Sequence, residues 1–294
     1  MDQPQVNHSF RPWILLFVFL SQWIGFTSKV HAGEPTNSPF VAVFVDDATE
    51  KELGPFPYDR ARYAQALAAL RKAHAKAVVI KYFLDRAKPG GGDDRLADEL
   101  GKLPVLLQAR LDPSEAHPNP YPFGIGLAQQ VRGDTRKLMS AQSGWIPLGK
   151  FSKPCQGIGF VDLASKDDVM DIPMVLKYQD RIVPSLELTA LELAFNGPAS
   201  IVLGANVSLA GHSLPVDASG QVRVTLTDQD RVNAISFIDV IQGTFDGNRV
   251  AGKIAVLGFD AKETPTLPTP HGAMRIHRLF FLSLESLYQQ LISR

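Results

Sequence analysis

Two apolar runs separated by an amphipathic segment constrain the fold of this chain more than any other feature. Residues 40–45 are apolar, mainly β-branched and aromatic, and end at Asp46 and Asp47, which is typical of a strand buried on both faces. Residues 76–84 form a second run of the same kind. The order strand, helix, strand predicts a right-handed parallel crossover and therefore an α/β fold.

The segment between the two runs has the pattern of an amphipathic helix. Asp59 is a suitable N-cap for this helix. We expect Arg60, Arg71 and Lys72 to turn outward on a solvated face. The buried stripe is expected to consist of Tyr63, Ala66, Leu67 and Leu70.

The rest of the chain predicts further elements around a long interruption. Residues 112–154 lose their periodicity and contain several prolines, so we expect a long irregular insertion with one short helix near 127–141. Further strands are expected at 103–107, 157–163, 173–178 and 252–258, helices at 93–100, 184–195, 236–243 and 273–293, a meander at 201–226 and a loop at 264–270. The helix at 236–243 is expected to begin with a capping box at Ser236. The prediction is an α/β fold with a mixed sheet, having parallel βαβ units in its N-terminal half, an antiparallel meander and a C-terminal helix.

The first 32 residues have the pattern of a signal peptide. The apolar run at 13–26 would span about 21 Å as a helix, which is less than the roughly 30 Å of a hydrocarbon layer. Val30 and Ala32 are small residues at the minus-three and minus-one positions, so we expect cleavage after Ala32 and one mature domain at 33–294. The protein is then periplasmic or secreted, and the alternative is an uncleaved N-terminal anchor in the membrane.

The composition argues against several classes of function. Thirty Lys and Arg residues balance thirty Asp and Glu residues, and a net charge of zero argues against binding nucleic acid by neutralising phosphates. The single cysteine, Cys155, cannot form an intramolecular disulfide, and we expect a buried thiol. No zinc-ligand spacing and no Gly-x-Ser-x-Gly motif is present, so we expect neither a cofactor nor the commonest exported hydrolase.

Four aspartates follow predicted strands. Asp46 and Asp47 lie at the carboxyl end of a parallel strand, where open α/β sheets bind their ligands. Asp162 and Asp260 follow other strands and are expected to converge on the same rim. This rim could hold a cation or a polar ligand. The alternative is that these acids are solvated residues of ordinary strand-to-loop turns.

The order of several short motifs along the chain carries a family resemblance. The motifs are Val45-Asp46-Asp47, Leu53-Gly54-Pro55-Phe56-Pro57 with Arg60, Ala75-Lys76-Ala77, Gly159-Phe160-Val161-Asp162, Tyr178 with Arg181, Pro184-Ser185-Leu186-Glu187-Leu188, Leu214-Pro215-Val216-Asp217, Gly252-Lys253-Ile254, Gly258, Thr269-Pro270 and His277. In this order they resemble the CHASE family of the second type, the extracellular sensory domain of bacterial adenylate cyclases and histidine kinases.

The resemblance implies a ligand site that includes Thr269 and His277 beside the aspartates, although His277 could also be a hydrogen-bonded packing residue. Two positions depart from the family. Members usually carry an aromatic-Asp pair on the second strand where this chain has Ile80-Lys81, and tend to have Gly-Ala-Thr where it has Gly258-Phe259-Asp260. Because an ammonium replaces a carboxylate, Lys81 is expected to change the chemistry of the site; the alternative is that it marks a degenerate site.

We therefore expect an exported, non-enzymatic sensory domain that binds a small ligand. Family members normally continue into membrane helices and an output domain, and this chain carries neither after its last helix, so a membrane receptor, kinase or cyclase is expected as a partner in trans. The alternatives are an exported metal-dependent hydrolase that uses the aspartate rim, and a structural assembly subunit. The apolar face from Ile276 to Leu291 is expected to face the core, with a homodimer surface as the alternative.

Overall fold

A seven-stranded sheet forms the centre of the fold in the computed structural model. The structure describes residues 38–117, 119–122, 130–162, 164–166, 169–226, 232, 234–269 and 272–293. The strands are β1 (Phe40–Val45), β2 (Ala77–Ile80), β3 (Val105–Asp112), β4 (Val131–Arg132), β5 (Ser140–Ala141), β6 (Ser143–Trp145), β7 (Gly157–Phe160), β8 (Ala164–Lys166), β9 (Val169–Pro173), β10 (Val175–Tyr178), β11 (Arg181–Pro184), β12 (Ser200–Val202), β13 (Asn206–Leu209), β14 (His212–Pro215), β15 (Gln221–Val224), β16 (Ala234–Ser236), β17 (Ile254–Phe259), β18 (Thr266–Thr269) and β19 (Gly272–Arg275). The helices are α1 (Asp47–Leu53), α2 (Arg60–Lys72), α3 (Gly92–Leu100), α4 (Gly149–Ser152), α5 (Leu186–Phe195), α6 (Phe237–Gln242) and α7 (Ile276–Ile292).

The central sheet has the order β16-β1-β17-β2-β3, and β3 pairs on its far side with both β7 and β6. Every pairing is parallel except the one between β3 and β6. The predicted α/β class is therefore confirmed. The first two strands are parallel as predicted, but they are not neighbours, because the late strand β17 lies between them.

Smaller antiparallel sheets surround the central one. The predicted meander is present as β12, β13 and β14, whereas β15 leaves it to pair with β9. The predicted loop at 264–270 is partly wrong, since β18 and β19 form an antiparallel hairpin there. This hairpin also explains why α7 begins at Ile276 and not at residue 273.

Alternate residues of β1 divide the core into two layers. Val41, Val43 and Val45 pack in the layer that contains α2, α3 and α6, and Phe40 and Phe44 pack in the layer that contains α5 and α7. The predicted apolar stripe of α7 is buried in this second layer, apart from the half-buried Ile276; its buried members are Phe280, Leu284, Leu287 and Leu291. A homodimer through α7 would have to use other residues.

The helix α2 confirms the predicted N-cap and stripe, with one exception. Asp59 accepts a hydrogen bond from the backbone nitrogen of Ala61 at 2.7 Å, and the four predicted stripe residues are buried. The outward orientation of Arg60 is wrong. Its guanidinium is buried beside Asp93, with 3.6 Å between Nε and Oδ1, and lies 5.7 Å from the ring centroid of Phe151, because the start of α3 brings a carboxylate to it.

The predicted capping box at the start of α6 is also wrong. The hydroxyl of Ser236 donates to Oδ1 of Asp46 at 2.9 Å and makes no side-chain hydrogen bond to the first turn of α6. The end of this helix is as predicted, because Gly243 adopts the left-handed conformation, with φ of 74°. The Ser236 hydroxyl is therefore bound to Asp46, which follows β1, and does not cap α6.

The segment 112–154 contains short elements where it is described. Residues 130–145 form three short strands and a 3-10 helix at Thr135–Lys137, so the described part of the predicted helix near 127–141 is not α-helical. Residues 123–129 and the predicted leader at 1–32 lie outside the described residues. No described helix has both the length and the apolar character needed to cross a membrane.

Candidate functional site

Five residues form a row across the central sheet at the carboxyl ends of its parallel strands. Phe44 pairs with Gly258, and Gln108 pairs with Gly159. Lys81 lies level with Gly258 on one side and with Gln108 on the other, because the residues before them are paired in register. We call this set the edge row: Phe44, Gly258, Lys81, Gln108 and Gly159.

The two glycines of the edge row allow two helices to approach the sheet closely. A Cβ on Gly159 would lie 2.3 Å from Cα of Leu186, the first residue of α5. A Cβ on Gly258 would lie 3.1 Å from Cβ of His277, in the first turn of α7. The amino-terminal ends of α5 and α7 therefore stand over the sheet on either side of the Lys81–Gln108 pair.

Lys81 is a buried cation, with only 6% of the residue exposed. Its Nζ lies 4.9 Å from the ring centroid of Phe280 on α7, within range of a cation–π interaction. Among the described residues, none forms a hydrogen bond or ion pair with this ammonium. Burial lowers the pKa of Lys81, and Glu187 and Asp162 partly offset that effect.

Two acceptors near Lys81 are buried without a partner. Glu187 in the first turn of α5 is 1% exposed, and Gln108 is 3% exposed. The Oε1 atom of each has no hydrogen-bond donor in the described part of the chain. Burial raises the pKa of Glu187, and the positive charge of Lys81 opposes this rise. A buried acceptor without a donor costs about 1 to 3 kcal/mol, so both atoms call for a donor.

Asp162 and Arg110 connect this buried cluster to solvent. Nε of Arg110 lies 3.7 Å from Oδ1 of Asp162, and the arginine side chain is 58% exposed. The backbone nitrogen of Leu111 donates to Oδ2 of Asp162 at 3.3 Å. Burial raises the pKa of Asp162 to about 6, even though these contacts and Lys81 act to lower it. The cluster therefore has one charged, solvent-facing end.

His277 is held as a neutral hydrogen-bond acceptor. Its Nδ1 accepts from the backbone nitrogen of Phe259 at 3.1 Å, so the proton of the neutral ring is on Nε2. Burial and then the nearby Lys81 lower its pKa well below the ordinary value. The bond to β17 anchors the start of α7 beside the edge row, which supports the packing interpretation of this histidine.

Residues 15–284, nearly the whole chain, match the family model of the CHASE2 domain. The chain belongs to the CHASE2 family. CHASE2 is an extracellular sensory domain family and not a catalytic one, so the resemblance carried by the motifs is confirmed. No curated protein and no solved structure matches the chain.

The CHASE2 departure at Lys81 is accompanied by a carboxylate on the facing helix. Glu187 is the carboxyl group with the largest effect on the pKa of Lys81. Glu187 was named only as part of a family motif and not as a site residue, and Gln108 was not named, although it visibly interrupts the apolar run of β3. The buried cluster of this CHASE2 domain thus combines predicted residues, Lys81, Asp162 and His277, with two that were missed.

Three of the predicted aspartates make contacts within the CHASE2 domain itself. Asp46 caps α1 through Thr49, and Asp47 accepts from the backbone nitrogen of Lys262 at 2.8 Å. Asp260 binds the guanidinium of Arg278 on α7, at 3.0 Å from Nε and 2.7 Å from Nη2. Within the described ranges no three His, Cys, Asp or Glu side chains are placed to hold a metal ion.

Thr269 lies at the end of β18, at the turn of its hairpin. Its hydroxyl donates to the backbone carbonyl of Gly272 at 2.7 Å. This bond closes the hairpin that leads into α7. The contact gives Thr269 a structural role beside its predicted part in the ligand site.

The raised pKa of Asp162 predicts a pH dependence of stability. The folded CHASE2 domain holds this proton more tightly than the unfolded chain, so the stabilisation is complete below about pH 4 and lost as the pH rises through about 6. Between pH 4 and 7 we expect the free energy of unfolding to fall by roughly 2 kcal/mol less in Asp162→Asn than in the wild type, because asparagine does not titrate. Urea unfolding of both proteins between pH 4 and 7 measures it, with Asp94→Asn at an exposed site as control. Identical slopes for wild type and Asp162→Asn would contradict the prediction.

Proposed function

We propose that this CHASE2 domain is an exported, non-enzymatic sensor that binds a small polar ligand at the cluster of Lys81, Glu187 and Gln108. One observation carries the proposal. Oε1 of Glu187 and Oε1 of Gln108 are buried at the carboxyl edge of a parallel sheet without a donor among the described residues. The buried Lys81 of the same edge contacts the ring of Phe280 and makes no hydrogen bond to a described residue. Ligands of open α/β sheets bind at this edge. A bound molecule that fills these bonds would remove an energetic cost that the free domain carries.

Two further observations support a sensor over an enzyme. Burial raises the pKa of Cys155 to about 12, so this thiol is protonated at neutral pH and unsuited to nucleophilic attack. The three aspartates at positions 46, 47 and 260 are held in internal contacts, which disfavours the alternative of a metal-assisted hydrolase. A sensor that only binds its ligand does not need the Cys155 thiol or these aspartates to react.

Export is part of the same proposal. Cleavage after Ala32 would leave every described element intact, since the first strand begins at Phe40. The signal would then pass to a separate membrane receptor, kinase or cyclase. Cell fractionation with amino-terminal sequencing tests the first point, and capture of a membrane protein from an envelope extract tests the second. An intact 294-residue chain in the cytosol would contradict export.

We expect a ligand of this site to stabilise the domain. At about 100 times its dissociation constant, a ligand adds roughly 2.7 kcal/mol to the free energy of unfolding, which corresponds to a rise in Tm of several degrees. A thermal-shift screen of small polar metabolites against the protein produced from the full chain measures this effect. The Lys81→Met variant should lose the response to any compound that binds here, whereas Lys76→Met should keep it. If no compound shifts the wild type, the proposal fails.

A further inference from the structure

We propose that the ligand is a small zwitterion, with an ammonium group that binds Glu187 and Gln108 and a carboxylate that binds Lys81. This inference rests on the proposed function, because it assigns a chemical class to the ligand of the same site. The geometry points to it through three separate features: the unfilled acceptors, the unfilled donor and the balance of charge around them.

The unfilled acceptors define one end of the ligand. Oε1 of Glu187 and Oε1 of Gln108 are both buried without a donor in the described part of the chain. The two residues come from α5 and β3, which meet where Gly159, the partner of Gln108, touches the first residue of α5. A ligand group that satisfies both must carry at least two N–H or O–H donors. An ammonium has three donors and also matches the carboxylate charge.

The unfilled donor defines the other end. Nζ of Lys81 can donate three hydrogen bonds, yet its contact among the described residues is the face of the Phe280 ring. Ring contact satisfies part of the charge and supplies no oxygen acceptor. The amino-terminal ends of α5 and α7 beside Lys81 add the positive partial charge of their helix dipoles. A carboxylate is the small group that best suits an ammonium in this setting.

The balance of charge disfavours a simple anion or a simple cation. The cluster contains two cationic side chains, Lys81 and Arg110, and two carboxyl groups, Glu187 and Asp162. A ligand with a net charge would add an uncompensated charge to a buried cluster that is already balanced, and that is costly. A zwitterion supplies both missing groups and adds no net charge.

The burial of the site favours a ligand with few heavy atoms, because Lys81, Glu187 and Gln108 are only 6%, 1% and 3% exposed. Three surface cavities of the described domain, with volumes of about 540, 490 and 480 Å³, lie elsewhere, and none is lined by these three residues. Buried side chains can enclose a short amino acid more readily than a sugar or a nucleotide.

The test is a binding series on the protein produced from the full chain. Glycine, β-alanine and 4-aminobutyrate vary the separation of ammonium and carboxylate, and ethylamine and acetate supply each group alone. Thermal shift and titration calorimetry are expected to show binding of at least one zwitterion and at least tenfold weaker binding of ethylamine and acetate. Glu187→Gln, which keeps the shape of the side chain, should weaken the zwitterion at least tenfold. Glu192→Gln is the matched control, because its Oε1 already accepts from the backbone nitrogen of Ala199 at 2.8 Å.

The outcomes separate this inference from the proposed function. Binding of acetate as strong as that of every zwitterion, or a zwitterion response that survives Glu187→Gln, would overturn the zwitterion assignment. So would a series without any binding. In those cases a different metabolite that shifts the wild type but not Lys81→Met leaves the sensor proposal standing. Failure of every metabolite in the wider screen overturns both.

Discussion

Replacing Gly159 with alanine is expected to lower the free energy of unfolding by about 3 kcal/mol or more. The new Cβ would lie 2.3 Å from Cα and 2.5 Å from the nitrogen of Leu186. Both are backbone atoms at the start of α5, so the clash cannot be relieved by a side-chain rotation. The helix must move away from β7, and Glu187 moves with it. Urea or thermal unfolding measures the loss.

Gly157 on the same strand provides the matched control. A Cβ there would meet Cδ2 of Leu106 at 3.1 Å, which is the mobile end of a side chain. We expect Gly157→Ala to change stability by no more than about 1 kcal/mol, since alanine also reduces the entropy of the unfolded chain. Equal losses in the two variants would show that α5 does not rest on Gly159. A stable Gly159→Ala protein that still binds its ligand would contradict the description of the site.

The second large effect is expected for Lys81→Met. Loss of the ammonium leaves Glu187 as a buried carboxylate without its nearby cation, and breaking such an arrangement costs roughly 3 kcal/mol. The loss should be larger at pH 8 than at pH 5. Because the pKa of folded Glu187 is raised, its protonated form stabilises the fold at low pH, and that contribution disappears as the pH rises. Chemical unfolding at both pH values measures the difference.

A double variant separates this charge effect from packing. Lys81→Met with Glu187→Leu removes both charges, and exchange of a buried charge pair for apolar groups is often neutral or stabilising by about 1 to 4 kcal/mol. We expect the double variant to be more stable than Lys81→Met alone. Lys76→Met is the control for loss of a lysine, because the Nζ of Lys76 donates to the carbonyl of Ala194 at 3.2 Å outside the cluster. If the stability losses of Lys81→Met alone and of Glu187→Leu alone add up in the double variant, Lys81 and Glu187 do not compensate each other's charge.

Local sequence patterns predicted helices and strands of this CHASE2 domain. The order of the strands and the contacts between distant elements depend on long-range pairing, which local patterns do not reveal. The apolar run 40–45 predicted β1 with both ends correct, and the helix predicted to end at residue 195 does end at Phe195. Apolar periodicity cannot reveal strand order, so the position of β17 between β1 and β2 was missed. The burial of Arg60 was missed for the same reason, since its partner Asp93 belongs to another helix.

The candidate site, like the fold, could be predicted from the sequence only in part. The rule that ligands bind at the carboxyl edge of parallel strands led to Asp162, and the departure from the family pattern led to Lys81; both belong to the buried cluster. The sequence could not indicate that Asp46 and Asp260 are used by Ser236 and Arg278, because each partner is distant along the chain. Glu187 was missed because an acid in the first turn of a helix is usually a solvated residue that favours the helix dipole. Its burial depends on the approach of α5 to Gly159.

The helix α7 connects the edge row with the opposite rim of the central sheet. Its first turn touches the edge row through His277, and eleven residues later the ring of Tyr288 packs on Phe40 at the start of β1, with 6.0 Å between centroids. The 17-residue helix is about 26 Å long. Helices shift as rigid rods by an ångström or two in many signalling proteins. A tilt of α7 imposed at one rim of the sheet would thus displace its other end at the opposite rim, where the first described strand begins and the last described helix ends.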